Sequence, residues 1–308
     1  MKLNFYSIRN DNNELYLEVN TFYNLVILIF GILGSIFNFT KIYIIFKFKL
    51  YEQSVFNCMS MYASGGGLLL GFAHINFAIF NVLMVDKSIL TYDLEVCRWK
   101  AVAETFSLHM FEISFVLQMI SFMVMVGFPL PYRTYLNTNK AKTISFLLIV
   151  LWSTFGTTLL FFPKNIHGKQ LEMCNSYSVW THYYKLYHIV LAIILPAVSI
   201  PFTLITFGKF KNKTMSDHMK KDILNMLNWL QFFFLLSWCL PNGMLILAKL
   251  FNFDSPTKGF IRDIFSMSMN LTIICNLPFA LWKNKDLREH FFDIVLVKRL
   301  IGNRPVAV

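Results

Sequence analysis

Charge is scarce in this sequence. Only 15% of its 308 residues are charged, where a soluble domain carries about 25%. That excludes a disordered chain and an ordinary soluble enzyme. Chemistry-bearing motifs are missing too. No Gly-rich phosphate loop follows a strand, no His-Glu-x-x-His or paired zinc-ligand spacing occurs, and no nucleophile has a base beside it. No enzyme, no metal site and no cofactor is expected. Repeats with a period of roughly 20–50 residues are absent. The first 21 residues hold Lys2, Arg9, Asp11, Glu14 and Glu18 with no apolar run. The expectation is therefore that no cleavable leader is present and that the first apolar stretch acts as its own insertion signal.

What the chain does have is apolar length. It is 56% hydrophobic and 17% aromatic, and a helix crossing a bilayer needs about 20 mostly apolar residues. Seven such stretches are present: Phe22–Phe46, Val55–Val85, Trp99–Phe128, Thr143–Pro163, Tyr184–Phe207, Ile223–Leu250 and Phe260–Trp282. Each is expected to be helical, because lipid offers no partner to an unpaired backbone group. The second is long, and its last third is open between helix and loop. The expected class is an all-α membrane protein, a seven-transmembrane helix bundle. Residues 1–21 form an amino-terminal segment, 22–284 the bundle, and 285–308 a membrane-surface helix and short tail.

The net charge of +11 would suggest nucleic acid in a soluble protein, but in an apolar chain it reflects Lys and Arg held at one membrane face. The amino-terminal face carries Lys2, Arg9, Lys87, Lys164, Lys169, Lys249, Lys258 and Arg262, eight in all. The opposite face carries sixteen, ten in its loops and six in the tail from Lys283 to Arg304. The positive-inside rule then places the amino terminus outside, in a multi-pass protein of the plasma membrane. No nucleic-acid partner is expected.

Five cysteines are present, and only Cys97 and Cys174 fall at or near outer loops. The outer face is oxidising, so a disulfide pinning the loop across the bundle mouth is the reading, against two free thiols.

Several motifs then run in order along the chain. Gly34 and Asn38 lie in the first span, Cys97 opens the third, and Pro129-Leu130-Pro131-Tyr132 follows it. Trp152 is in the fourth span, Pro196 in the fifth, Trp238-Cys239-Leu240-Pro241 in the sixth, and Asn276-Leu277-Pro278 in the seventh. Asp286-Leu287-Arg288 and Phe291 come after. At this order and near this spacing the chain resembles the rhodopsin-like receptors coupled to G proteins. The Phe-rich spans, short loops and eroded motifs are most similar to the nematode serpentine chemoreceptors. The resemblance implies a small-molecule or peptide ligand in an outer-facing pocket, a heterotrimeric G protein on the inner face, and a short eighth helix on the inner surface.

Departures from the pattern fall on the activation switch. Ser121-Phe122-Met123 stands where the family has Asp-Arg-Tyr, Gly66 falls on its second-span acid, and Leu281 on its seventh-span tyrosine. A non-signalling auxiliary receptor would carry the same changes.

Ionisable residues inside a span are functional candidates, because each costs at least a few kcal/mol in lipid. Glu104, His109 and Glu112 lie in the third span. Glu104 is seven residues after Cys97, where amine receptors of the resembled family hold their ligand acid. It is read as a ligand contact, an acid paired internally with His74 or Lys100, or a protonated carboxyl. Glu112, two turns deeper, is read as a structural hydrogen bond. His188 faces the pocket in the family's register, against a satisfied core histidine, and Trp238 is read as the pocket floor. Asn38 and Asn276 are read as interhelical hydrogen bonds. Gly65-Gly66-Gly67 permits either close helix approach or a kink. Facing the G protein are Phe122, Tyr132, Arg133, Lys220 and Arg288. The lysine-rich third inner loop, about residues 208–222, would meet that protein or anionic membrane lipid, or only anchor topology.

Other seven-span classes fit less well. A transporter would show broken helices at matching places in two halves. A ligand-gated channel of the odorant-receptor type has its amino terminus inside, which the lysine distribution opposes.

Overall fold

The computed structural model describes residues 20–86, 92–162, 170–171, 174, 178–211, 225, 228–283 and 285–294. Among the described residues the longer helices are α1 (Thr21–Lys47), α2 (Val55–Asp86), α3 (Leu94–Gly127), α4 (Asn139–Thr158), α5 (His182–Lys211), α6 (Asn228–Leu250), α7 (Ser255–Lys283) and α8 (Lys285–Asp293). Six are long and apolar enough to cross a membrane. Among the described residues α7 contributes a shorter apolar stretch, Met267–Trp282. The bundle is all-α, as read from the sequence. The last third of the second span, left open above, is helical through Asp86. The third span begins five residues earlier than its hydropathy indicates, at Leu94 rather than Trp99.

Side-chain oxygens start these helices where the sequence offers them. Asn20 accepts from the Tyr23 amide at 3.1 Å, Asp93 from the Glu95 amide at 2.8 Å, and Thr138 from the Ala141 amide at 3.2 Å. Each satisfies one of the amides that a first turn leaves without a partner. Pro129 ends α3 by removing a donor. At the other end of α3, just before Leu94, a short β-ladder forms, with β1 (Tyr92–Asp93) antiparallel to β2 (Gln170–Leu171).

Packing inside the bundle is uneven. A Cβ built on Gly66 would lie 2.5 Å from the Phe111 amide nitrogen and 2.7 Å from its Cα, and one on Gly31 would lie 2.8 Å from the Gly71 carbonyl oxygen. Within the glycine triplet Gly66 thus serves close approach of α2 to α3 and Gly67 leaves room for Asn38 of α1, and there is no kink, since α2 runs unbroken through it. The main core gathers Phe111, Phe115, Met119, Phe122, Phe233, Phe234 and Trp238. Outward faces stay apolar, as at Leu148, Leu151 and Phe155 of α4, where a soluble protein would turn polar groups. Lipid is the solvent such a surface fits.

The eighth helix packs its apolar residues on the bundle. Leu287 is buried against Ile44, Ile45 and Leu50, with Phe291 packed alongside.

Candidate functional site

One end of the bundle is braced covalently. Cys97 at the head of α3 is bonded to Cys174, with Cα atoms 5.4 Å apart. The carbonyl of Cys174 also accepts from Lys100 Nζ at 3.0 Å. That ammonium donates to Asn81 Oδ1 at 2.8 Å as well, and it lies 3.8 Å from the Phe77 ring centre and 4.4 Å from that of Phe80. Asn81 in turn donates to Asn24 Oδ1 at 2.9 Å. The loop before α5 is therefore fastened to α1, α2 and α3 by a chain of satisfied polar groups.

Below this brace, α3, α5, α6 and α7 border a small cavity lined by Leu108, Glu112, His188, Ser237, Asn242 and Met269 among others. A second small cavity continues from it between Phe111, Glu112, Phe115, Phe234, Ser237 and Trp238. His188 is buried, and its Nε2 makes a hydrogen bond with Asn242 Oδ1. Asn242 Nδ2 donates to the Trp238 carbonyl at 2.8 Å, which fixes that amide with its oxygen toward the imidazole. His188 Nε2 is then the donor, and a neutral ring keeps Nδ1 as an acceptor. Trp180, Tyr184 and Trp238 surround the same ring, with centroids 4.6, 6.0 and 5.5 Å away.

Glu112 reaches both cavities. His109, fully buried one turn before it, holds Nδ1 3.6 Å from Glu112 Oε2 and shares a 3.0 Å hydrogen bond between Nε2 and the Tyr184 hydroxyl. A tyrosine, a histidine and a carboxylate are thus arrayed behind the cavity wall. What this set offers is recognition: hydrogen-bonding groups of both kinds at the centre of an apolar space.

The sequence-based site residues separate on this geometry. His188 and Trp238 come together at the cavity. Glu104 is buried on α3 two turns nearer the disulfide and is not among the residues lining these two cavities. Glu112, read from sequence as structural, lines both. Asn242 was not singled out, although it falls four residues after Trp238 and so on the same helix face.

At the α8 end, Phe122 is buried and packs on Phe56, ring centres 5.5 Å apart. Tyr132 is also buried, and burial pushes its phenol up from the ordinary value. Arg133 is exposed, and Arg288 donates to the Trp282 carbonyl at 3.2 Å. Lys220 and most of the third loop lie outside the described residues.

Deeper in the same half, Asn276 Nδ2 donates to Asn38 Oδ1 at 3.0 Å, and Asn38 Nδ2 to the Ile273 carbonyl at 3.1 Å. The two asparagines tie α1 to α7, as read. Lys41 joins them, donating to Asn276 Oδ1 at 2.7 Å. It escaped the sequence reading because a lysine near a span's end ordinarily snorkels to the interface. The signal was its spacing, three residues after Asn38 on one helix face.

The family description Serpentine type 7TM GPCR chemoreceptor Srsx matches residues 28–295, well over half the chain. No curated protein matches it. The chain belongs to the Srsx serpentine chemoreceptors, a family of seven-transmembrane chemosensory receptors in the membrane.

Proposed function

We propose that this Srsx chemoreceptor binds a small, largely apolar molecule with at least one hydrogen-bonding or basic group, in the cavity between α3, α5, α6 and α7. The observation that carries the reading is the meeting of Glu112, His188 and Asn242 above Trp238, inside apolar walls. Two cavities this small suit a compact molecule better than a peptide. His188, Asn242 and Ser237 bring polar groups to the apolar wall, and Trp238 a flat floor. Two acids can answer a ligand cation, Glu112 in the cavity and Glu104 toward the mouth.

On this reading the chain sits in the plasma membrane with its amino terminus and the disulfide outside. Residues 1–21 are then extracellular, 22–284 form the bundle, and 285–308 lie at the cytoplasmic surface. A ligand's contacts with His188 and Trp238 bias the position of α6. The inner ends, at Phe122, Tyr132, Arg133, Lys220 and Arg288, then meet a heterotrimeric G protein beside anionic lipid. Phe122 offers an apolar ring in place of a cation. Coupling there must rest on shape and on Arg133, Lys220 and Arg288.

A reporter screen of small amines and their neutral isosteres, run on the wild type with Glu104→Gln, Glu112→Gln and His188→Ala, tests this. The expected result is that Glu112→Gln weakens amine responses by about tenfold or more, the loss of one buried charge partner, and neutral responses by less. His188→Ala weakens both. Equal responses in all four proteins would reject the pocket. A selective loss in Glu104→Gln alone would move the ligand acid to the mouth.

A further inference from the structure

Beneath the ligand cavity, and divided from it by Phe111 and Phe115, a second space opens toward the α8 end. It lies between α1, α2, α3, α6, α7 and Leu287 of α8 and is open at its mouth. Its wall is mostly rings and aliphatic chains, among them Phe56, Phe111, Phe115, Leu230, Phe233 and Phe279. Into this apolar wall is set Lys41, only 2% exposed.

Two polar groups here lack what burial demands. Lys41 carries three ammonium donors, and its hydrogen bond to Asn276 Oδ1 occupies one. Among the described residues no carboxylate makes an ion pair with it. An ammonium held in a low-dielectric interior without a counter-charge costs several kcal/mol. Gln118, 5% exposed and lining the same space, has a buried Oε1 with no hydrogen-bond partner. Amide oxygen and nitrogen exchange places by a half-turn of the group. Gln118 thus brings a side-chain amide, with donor and acceptor, to the cavity wall. A cation, an amide donor and a sleeve of rings are then gathered around one empty volume. A carboxylate answers the first two, and an alkyl chain fills the third.

We propose that this cavity binds a single-chain carboxylate amphiphile, its head on Lys41 and Gln118 and its chain among the phenylalanines. The site is separate from the ligand cavity above and stands whether or not the proposed ligand reading holds.

The test uses the purified full chain in nanodiscs of zwitterionic phospholipid and equilibrium binding of labelled dodecanoate. Methyl dodecanoate, hexanoate and unlabelled dodecanoate serve as competitors. Saturable binding near one per chain is expected. The ester, which lacks the charge, and hexanoate, which lacks the chain, should compete at least about tenfold less well, about 1.4 kcal/mol. Lys41→Met should lose at least the same factor, while Lys41→Arg keeps most of the affinity. Ser60→Phe should abolish binding by filling the space while leaving the lysine in place.

An ester that competes as well as the acid would overturn the proposal, as would wild-type affinity in both Lys41→Met and Ser60→Phe. Hexanoate matching dodecanoate would overturn the amphiphile. Should either variant fail to fold, the acid, ester and short-chain comparison on the wild type still decides.

Discussion

Where α1, α2 and α3 meet, backbone lies against backbone at Gly31, Gly66 and Gly71. Where α5, α6 and α7 meet, the contacts are rings and the helices are interrupted. α5 contains Pro196 and Pro201, α7 contains Pro278, and α6 widens to a π-turn over Leu235–Cys239 just before Pro241. Trp229, Phe233, Phe279 and Trp282 stack edge and face between α6 and α7 at 5.4–6.3 Å. Backbone contact through glycine allows little relative movement, because any slide drives a carbonyl or an amide into a neighbour. Rings slide, and a helix that has lost a backbone hydrogen bond at proline bends there at lower cost. A receptor needs both kinds of packing, one half to hold position and the other to shift when a ligand arrives. The proposed pocket lies between them, with Glu112 on the fixed side and His188, Ser237 and Asn242 on the adaptable side.

Gly66→Val is the severest way to break this contrast. Its added atoms would enter the backbone of Phe111, and a loss of about 3 kcal/mol or more is expected from such overpacking. Thermal unfolding of the detergent-purified protein, or its failure to reach the cell surface, reads the effect. An unchanged melting temperature would mean that α2 and α3 can separate without cost, and the fixed half would not be fixed.

Next comes the link between the halves. The Cys97–Cys174 disulfide closes a separation of 77 residues and ties the head of α3 to the loop leading into α5. Cys174→Ser should cost about 2–4 kcal/mol, seen as a lower melting temperature that no longer responds to reductant. Retained sensitivity to reductant in the variant would show that another bond stabilises the mouth.

The smallest effect is expected on the adaptable side. Gly243 of α6 has nothing within 4 Å of where a Cβ would stand. Gly243→Ala should be neutral or stabilise by up to about 1 kcal/mol, the helix-propensity gain. A loss as large as that at Gly66 would erase the distinction between the two glycines and with it the comparison.

Much of this architecture is legible in the amino-acid order. Hydropathy marks the spans because a bilayer imposes length and apolarity on each. The disulfide follows from only Cys97 and Cys174 lying near outer loops, and the Asn38–Asn276 link from amides placed inside lipid-length helices. Rotational register is harder to read. A string of mostly apolar residues does not say which face turns inward, so Glu112 reads as structural although it reaches the cavity, and Asn242 passes unnoticed. Lys41 escapes for a different reason. Six residues before Lys47 it looks like a residue that reaches the interface, whereas the structure turns it inward onto Asn276. Where α2 ends is also obscure from sequence, since its last turns are apolar but border a loop, whereas the helix runs to Asp86.

The proposed receptor role depends above all on orientation, because the ligand cavity lies on the disulfide side of Trp238 and the lysine-rich loops on the other. Antibody access to an epitope at each terminus, before and after permeabilising intact cells, measures this directly. The account predicts an amino terminus stained on intact cells and a carboxyl terminus stained only after permeabilisation. A hidden amino terminus would contradict it, placing the pocket toward the cytoplasm and removing the G protein from the face assigned to it.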